Sequence, residues 1–210
     1  INPFTNPNNA TPAQLQAAEN HWEHAALSNN VYGYKPEVPL PGSWVRLDVN
    51  DDVNGFHAQT WLNTDENNKT QIVIVFRGTE GPTNFSDNYY GNLSDVQELI
   101  ARDYARFVAT LLQDYPGAKV TATGHSLGGA LAKVAADELG ITAVVFNSSP
   151  KGPDGNNVEY IEETGDFLDA ARRDNDDAVS YNFSNASPAL SHDITQLAEG
   201  MKSLAENTLE

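Results

Sequence analysis

The sequence predicts a three-layer α/β fold around a mostly parallel central sheet, and three observations carry that prediction. "QIVIVF" (71 to 76) and "TAVVFN" (142 to 147) are apolar almost throughout, as strands covered on both faces are. Helix-like segments alternate with strands between them, giving a βαβ succession whose right-handed crossovers lay helices on both faces of the sheet. "KVTATGHSLGGALAKVAADELG" (119 to 140) runs from a β-favouring segment straight into a helix through Gly124, His125 and Ser126.

The remaining elements follow in order. Thr11-Pro12-Ala13-Gln14 combines an N-cap, a proline at the first helical position and a glutamine three residues on, which predicts a helix over 12 to 29, stopped by Asn30 and Gly33. "SWVRLDV" (43 to 49) and "FHAQTWL" (56 to 62) alternate apolar and polar residues, and Asn54-Gly55 between them signals a hairpin turn at an antiparallel edge. Ser94-Asp95-Val96-Gln97 opens a second helix, with Val96, Leu99, Ile100, Phe107, Val108, Leu111 and Leu112 at helical spacing and an end near Tyr115-Pro116-Gly117. Residues 151 to 178 are polar, acidic and loop-rich, with one strand-like piece from Val158 to Ile161.

No repeat or linker divides the 210 residues, so 1 to 210 is expected to be one domain large enough to bury a core. Leu209-Glu210 reads equally as native sequence or as an appended tail and is set aside. With Ile1 in place of Met and no signal-peptide pattern, the expectation is a processed or excised domain. The net charge of −17 and a pI near 4.4 disfavour nucleic acid and anionic headgroups as partners. The absence of cysteine excludes disulfides and thiolate metal sites, and fits a secreted bacterial protein.

The chemistry concentrates at Gly124-His125-Ser126-Leu127-Gly128, a G-x-S-x-G pattern with a strand before it and a helix after it. A nucleophile on so sharp a turn crowds the residues two before and two after it, and glycine at both places removes the clash. A serine hydroxyl needs a base. Of five histidines, His21 and His24 fall in the first helix, His57 in a strand, and His125 inside the motif, where its side chain should point away from Ser126. His192 precedes a short helix downstream and is free to reach the active edge of the sheet, which makes it the candidate base.

The base in turn needs an acidic partner, and many acids lie between 126 and 192. Asp166 is preferred, because the strand-like Val158 to Ile161 delivers Thr164-Gly165-Asp166 to a loop; Asp169 and Asp177 are the fallbacks. The intervals between 126, 166 and 192 leave room for one strand in each. Donors for an oxyanion are expected from the backbone of Leu127 and from Thr79, which follows the buried strand in "IVIVFRGTEG".

These pieces together resemble the class 3 lipases, an α/β-hydrolase-fold family of triacylglycerol lipases, phospholipases A1 and related esterases. The likeness rests on "IVIVFRGTE", "NLSDVQ", "VTATGHSLGGALA" and "VVFNSSP", with "ALSNNVYG" near the end of the first helix, and covers most of residues 20 to 150. It implies Ser126 as nucleophile, Thr79 and Leu127 as the oxyanion hole, a structural role for Asp95, and no cofactor. The fungal members carry their acid in an N-x-x-D-x-V-P stretch, whereas "YNFSNASPAL" has Asn185 or Ala186 there. "YIEETGDFLD" followed by "SHDITQL" looks more like a compact bacterial branch. Such lipases often cover the site with a lid, for which "EGPTNFSDNYYGN" (80 to 92) is the candidate segment.

The expectation is thus a cofactor-free serine carboxylester hydrolase that meets a lipid or small ester, with transient contact at a lipid interface and no nucleic acid. A lipid-binding or adhesion module without turnover, and an acyltransferase or peptidase using the same serine, are the competing readings. Two metal signals are weak. Asp48, Asn50 and Asp52 have calcium-loop spacing, but Val53 stands where glycine is needed, and a hairpin turn is the simpler reading. His21 and His24 lack a completing acid, so packing is favoured over metal binding.

Overall fold

The computed structural model describes residues 6–52, 54–80, 95–153, 155, 157–166, 168, 178–184 and 191–208. Among the described residues, seven strands form one sheet in strict sequence order: β1 (Val45–Asp51), β2 (His57–Thr64), β3 (Thr70–Phe76), β4 (Lys119–His125), β5 (Thr142–Phe146), β6 (Val158–Glu163) and β7 (Val179–Tyr181). β1, β2 and β3 are antiparallel neighbours, and every pair from β3 to β7 is parallel.

Alternation along the central strands divides the core into two halves. Val73 and Val75 of β3, with Val144 and Phe146 of β5, face α1 (Pro12–Asn30) and α4 (Ile194–Asn207). Ile74 and Phe76, with Ala143 and Val145, face α2 (Val96–Leu111) and α3 (Leu127–Leu139). The result is the three-layer α/β architecture read from the apolar strands.

Local chemistry fixes the ends. Thr11 accepts from the Gln14 N–H while the Gln14 carboxamide accepts from the Thr11 N–H, a complete capping box behind Pro12. At the other end of α1, the Asn30 side chain both donates to and accepts from the backbone of Val38, holding the exit loop. The β1–β2 hairpin closes through Gly55 at φ 81° and an Asp52 N–H to Phe56 carbonyl bond of 3.0 Å.

The structure departs from expectation in three places. The buried face of α2 is Gln97, Ala101, Tyr104, Ala105 and Val108, while Leu99 and Phe107 are 62% and 46% exposed. Small residues one turn apart let α2 approach the alanine-rich α3 closely, and that close approach outweighs the burial of larger side chains. α2 begins at Val96 behind Asp95, whose side chain makes no cap bond and instead pairs with Lys151 at 3.5 Å. The interval between residues 126 and 166 holds two strands, β5 and β6, and β7 fills the interval before residue 192.

Candidate active site

Ser126 occupies the single residue between β4 and α3, with φ 57° and ψ −124°, a conformation unfavourable for a residue with a side chain. Its neighbours hold it there. The Ser126 N–H donates to the Phe146 carbonyl at 3.1 Å, and the Ser126 carbonyl accepts from Gly129 at 3.0 Å and from Ser149 at 2.9 Å. A Cβ on Gly124 would overlap the Gly128 backbone, and one on Gly128 would overlap the end of β3 at Phe76 and Arg77. The flanking glycines are therefore a packing requirement of the turn.

His192 and Asp166 complete a line from this hydroxyl. His192 Nε2 lies 3.0 Å from Ser126 Oγ, and His192 Nδ1 lies 2.7 Å from Asp166 Oδ1. A carboxylate only accepts, so Nδ1 carries the proton and Nε2 presents its lone pair to the serine hydroxyl. Asp166 leaves β6 through Gly165, at φ 84°, and its side chain is fully buried. His192 stands just before α4, where Asp193 caps the helix by accepting from the Thr195 N–H at 3.0 Å and from Lys35 Nζ at 2.9 Å. Burial pushes the Asp193 carboxyl up, but the Lys35 ammonium and the Thr195 N–H outweigh it and hold the group below its usual range.

Other acids of the interval have other partners. Asp137 and Glu138 face Arg102, with Glu138 also on Arg106, and Glu159 pairs with His21 at 2.8 Å. Glu163 accepts from the Ser184 N–H at 2.6 Å, and burial pushes its carboxyl up. The fallbacks Asp169 and Asp177 lie outside the described residues, as does the candidate lid beyond Glu80.

The loop after β3 lies against the serine turn. A Cβ on Gly78, the residue before Thr79, would run into the Tyr32 hydroxyl and the His125 carbonyl, with Gly128 N close by. Arg77 anchors this loop through Glu80 at 2.6 Å and the Gly55 carbonyl at 3.0 Å. Sequence reasoning missed the neighbours of His125. Tyr32 Oη lies 2.9 Å from His125 Nδ1, and the His125 ring sits 4.7 Å from that of His192. The tyrosine of "NNVYG" was the available signal.

The remaining histidines have structural partners: His24 Nε2 lies 2.9 Å from Thr121 Oγ1, and His57 pairs with Asp51. Among the described residues, no three metal-ligating side chains cluster. Asp48 accepts from the Tyr104 hydroxyl of α2, and Asp52 accepts from the Asn54 N–H in the hairpin turn. No described helix is long and apolar enough to cross a membrane.

The fold is shared with solved lipases. The Rhizomucor miehei lipase propeptide complex aligns at 19% identity and TM-score 0.54, covering 77% of this chain and 66% of that one. A fungal lipase-inhibitor complex aligns at 18% and 0.55, covering 75% and 73%, and a Penicillium expansum triacylglycerol lipase at 17% and 0.53, covering 80% and 77%. The chain thus spans just under two thirds of the length of the Rhizomucor enzyme. At these identities the likeness establishes the fold. No curated protein matches the chain. A family model, Phospholipase-like: Tle-like phospholipase domain, matches residues 23–182, well over half of the sequence. With its class 3 lipase-like α/β-hydrolase fold, the chain belongs to the Tle-like phospholipase domain family, lipid ester hydrolases at the family level.

Proposed function

We propose that the protein is a serine carboxylester hydrolase that cleaves lipid esters, with phospholipid acyl esters the first candidates, through an acyl-enzyme on Ser126. The observation that carries this reading is the continuous line Ser126 Oγ, His192 Nε2, His192 Nδ1, Asp166 Oδ1, with both heavy-atom distances in the hydrogen-bonding range. Ser126 Oγ attacks the ester carbonyl as its proton passes to His192 Nε2. Buried Asp166 keeps the ring in the Nδ1–H form and stabilises the imidazolium.

The tetrahedral oxyanion is received by the backbone N–H of Leu127, one of the first N–H groups of α3 and without a partner in its own helix. Thr79 supplies the second donor from the loop after β3. Such donors contribute about 3 to 4 kcal/mol each to transition-state stabilisation. Collapse expels the alcohol, which takes the proton from His192. Water, deprotonated by the same nitrogen, then releases the carboxylic acid.

A fluorophosphonate probe with adduct mapping tests the nucleophile: label is expected on Ser126 and lost in His192→Ala, and equal labelling of that variant sinks the triad. Acyl release from phosphatidylcholine, triglyceride and p-nitrophenyl esters ranks the substrates. Activity confined to amides would refute the ester reading, and binding to lipid vesicles without turnover would favour a binding module.

A further inference from the structure

The residue after β5 holds a position that hydrolysis chemistry alone does not explain. Asn147 is fully buried and has φ 42°, one of three non-glycine residues with positive φ among those described. Glycine adopts this conformation freely, and asparagine is among the side-chain-bearing residues that tolerate it best. A position needing only the backbone angle is served by glycine, so the carboxamide calls for its own account.

Its two ends go to two different segments. Asn147 Oδ1 accepts from the Glu163 N–H at 2.8 Å, and Asn147 Nδ2 donates to the Ser191 carbonyl at 2.9 Å. Glu163 ends β6, and its carbonyl accepts from the Asp166 N–H at 3.2 Å, forming the turn that presents the acid. Ser191 is joined by one peptide bond to His192. The Ser191 hydroxyl repeats the link by donating to the Gly165 carbonyl at 2.8 Å.

The backbone on either side of Asn147 holds the third group. Phe146 accepts the Ser126 N–H, and Ser149 donates to the Ser126 carbonyl. Residues 146 to 149 therefore grip the nucleophile by main chain, while one side chain between them grips the acid's turn and the base's loop. Both Asn147 bonds are buried, where geometry is tightly set and an unmade bond is costly.

We propose that Asn147 is the positioning residue of this site, fixing His192 relative to Asp166 and Ser126 by bridging the two loops that carry the acid and the base. The proposal rests on the reading of Ser126, His192 and Asp166 as nucleophile, base and acid. Displacement by about 1 Å in such a constellation costs on the order of 100-fold in rate.

Two variants separate its parts. Asn147→Gly removes both bonds and keeps a backbone angle that glycine adopts freely. Asn147→Asp keeps the acceptor for Glu163 but sets a carboxylate oxygen against the Ser191 carbonyl. On p-nitrophenyl ester, kcat is expected to fall roughly 10- to 100-fold in both, with KM within about twofold and fluorophosphonate labelling slowed in parallel.

The 15N shifts of the His192 ring report which nitrogen carries the proton. Wild type is expected in the Nδ1–H form, and both variants as an average of the two tautomers. Wild-type kcat in Asn147→Gly, or a loss of kcat with wild-type ring shifts, overturns the proposal. Absence of Ser126 labelling in the wild-type protein would instead refute the hydrolase reading, and the ring shifts would still decide whether Asn147 positions His192.

Discussion

Asp166 and His192 meet at 2.7 Å with the carboxylate wholly buried and the imidazole partly open to solvent. Under the proposed mechanism this carboxylate orients the ring and offsets the positive charge it gains. Asp166→Asn, nearly isosteric, is expected to lower kcat by roughly 1,000- to 10,000-fold while leaving the thermal transition almost unmoved. Asp169→Asn and Asp177→Asn should turn over at the wild-type rate. Loss of ester hydrolysis in Asp177→Asn alone would reassign the acid.

The serine turn should be far less tolerant than its size suggests. Gly124→Ala and Gly128→Ala each place a methyl group into backbone that has no rotamer to change, and each should cost roughly 2 to 4 kcal/mol in denaturant unfolding. Gly42→Ala meets open space and carries no positive φ, so it is the control, neutral or stabilising by up to about 1 kcal/mol. Equal destabilisation at all three sites would show that the turn is not specially constrained.

Acid should weaken the fold through His24. Burial, followed by the nearby His21 and Lys119 charges, lowers its pKa from 6.5 to about 3 in the native state, so the unfolded chain binds the proton more readily. The stabilisation is full above the unfolded value and is lost as pH falls from about 6.5 towards 3. Linkage gives a loss of about 2 kcal/mol between pH 7 and pH 5 from this group. His24→Gln should flatten that part of the stability profile. An unchanged slope would place the pH sensitivity elsewhere, with His21 and its partner Glu159 the next candidates.

The α2 face supplies a packing test. Ala105→Leu should destabilise by roughly 1 to 3 kcal/mol because it wedges α2 from α3, whereas Leu99→Ala should stay within about 0.5 kcal/mol. A larger loss at Leu99 than at Ala105 would restore the face predicted from residue size.

What could be read from the sequence depended on whether a residue's partners were local. β3 and β5 announced themselves because strands buried on both sides carry apolar runs, and the Gly-flanked Ser126 did so because the crowding of Gly124 against Gly128 is set within five residues. β7 gave no signal. Its three residues depend on parallel pairing with β6, on Tyr181 stacking against Phe183, and on the Tyr181 hydroxyl donating to the Gln14 carbonyl. Asn147 read as an ordinary residue after a strand, since its partners Glu163 and Ser191 are 16 and 44 residues away. The α2 face was misread for a related reason: periodicity ranks residues by hydrophobicity, while the choice of Ala101 and Ala105 was made by the neighbouring helix.

The strict strand order also sets a timetable for a chain growing from the ribosome. Each strand finds its sheet neighbour already made, so β1 to β5 can assemble as they emerge, and the serine turn can form with them. His192 is made 66 residues after Ser126, roughly 3 to 13 seconds later at ordinary synthesis rates. It is seated by α4, which packs against α1, a helix made before every strand of the sheet. Until those two helices close on each other, the nascent protein has its serine turn without the imidazole that meets Ser126 Oγ.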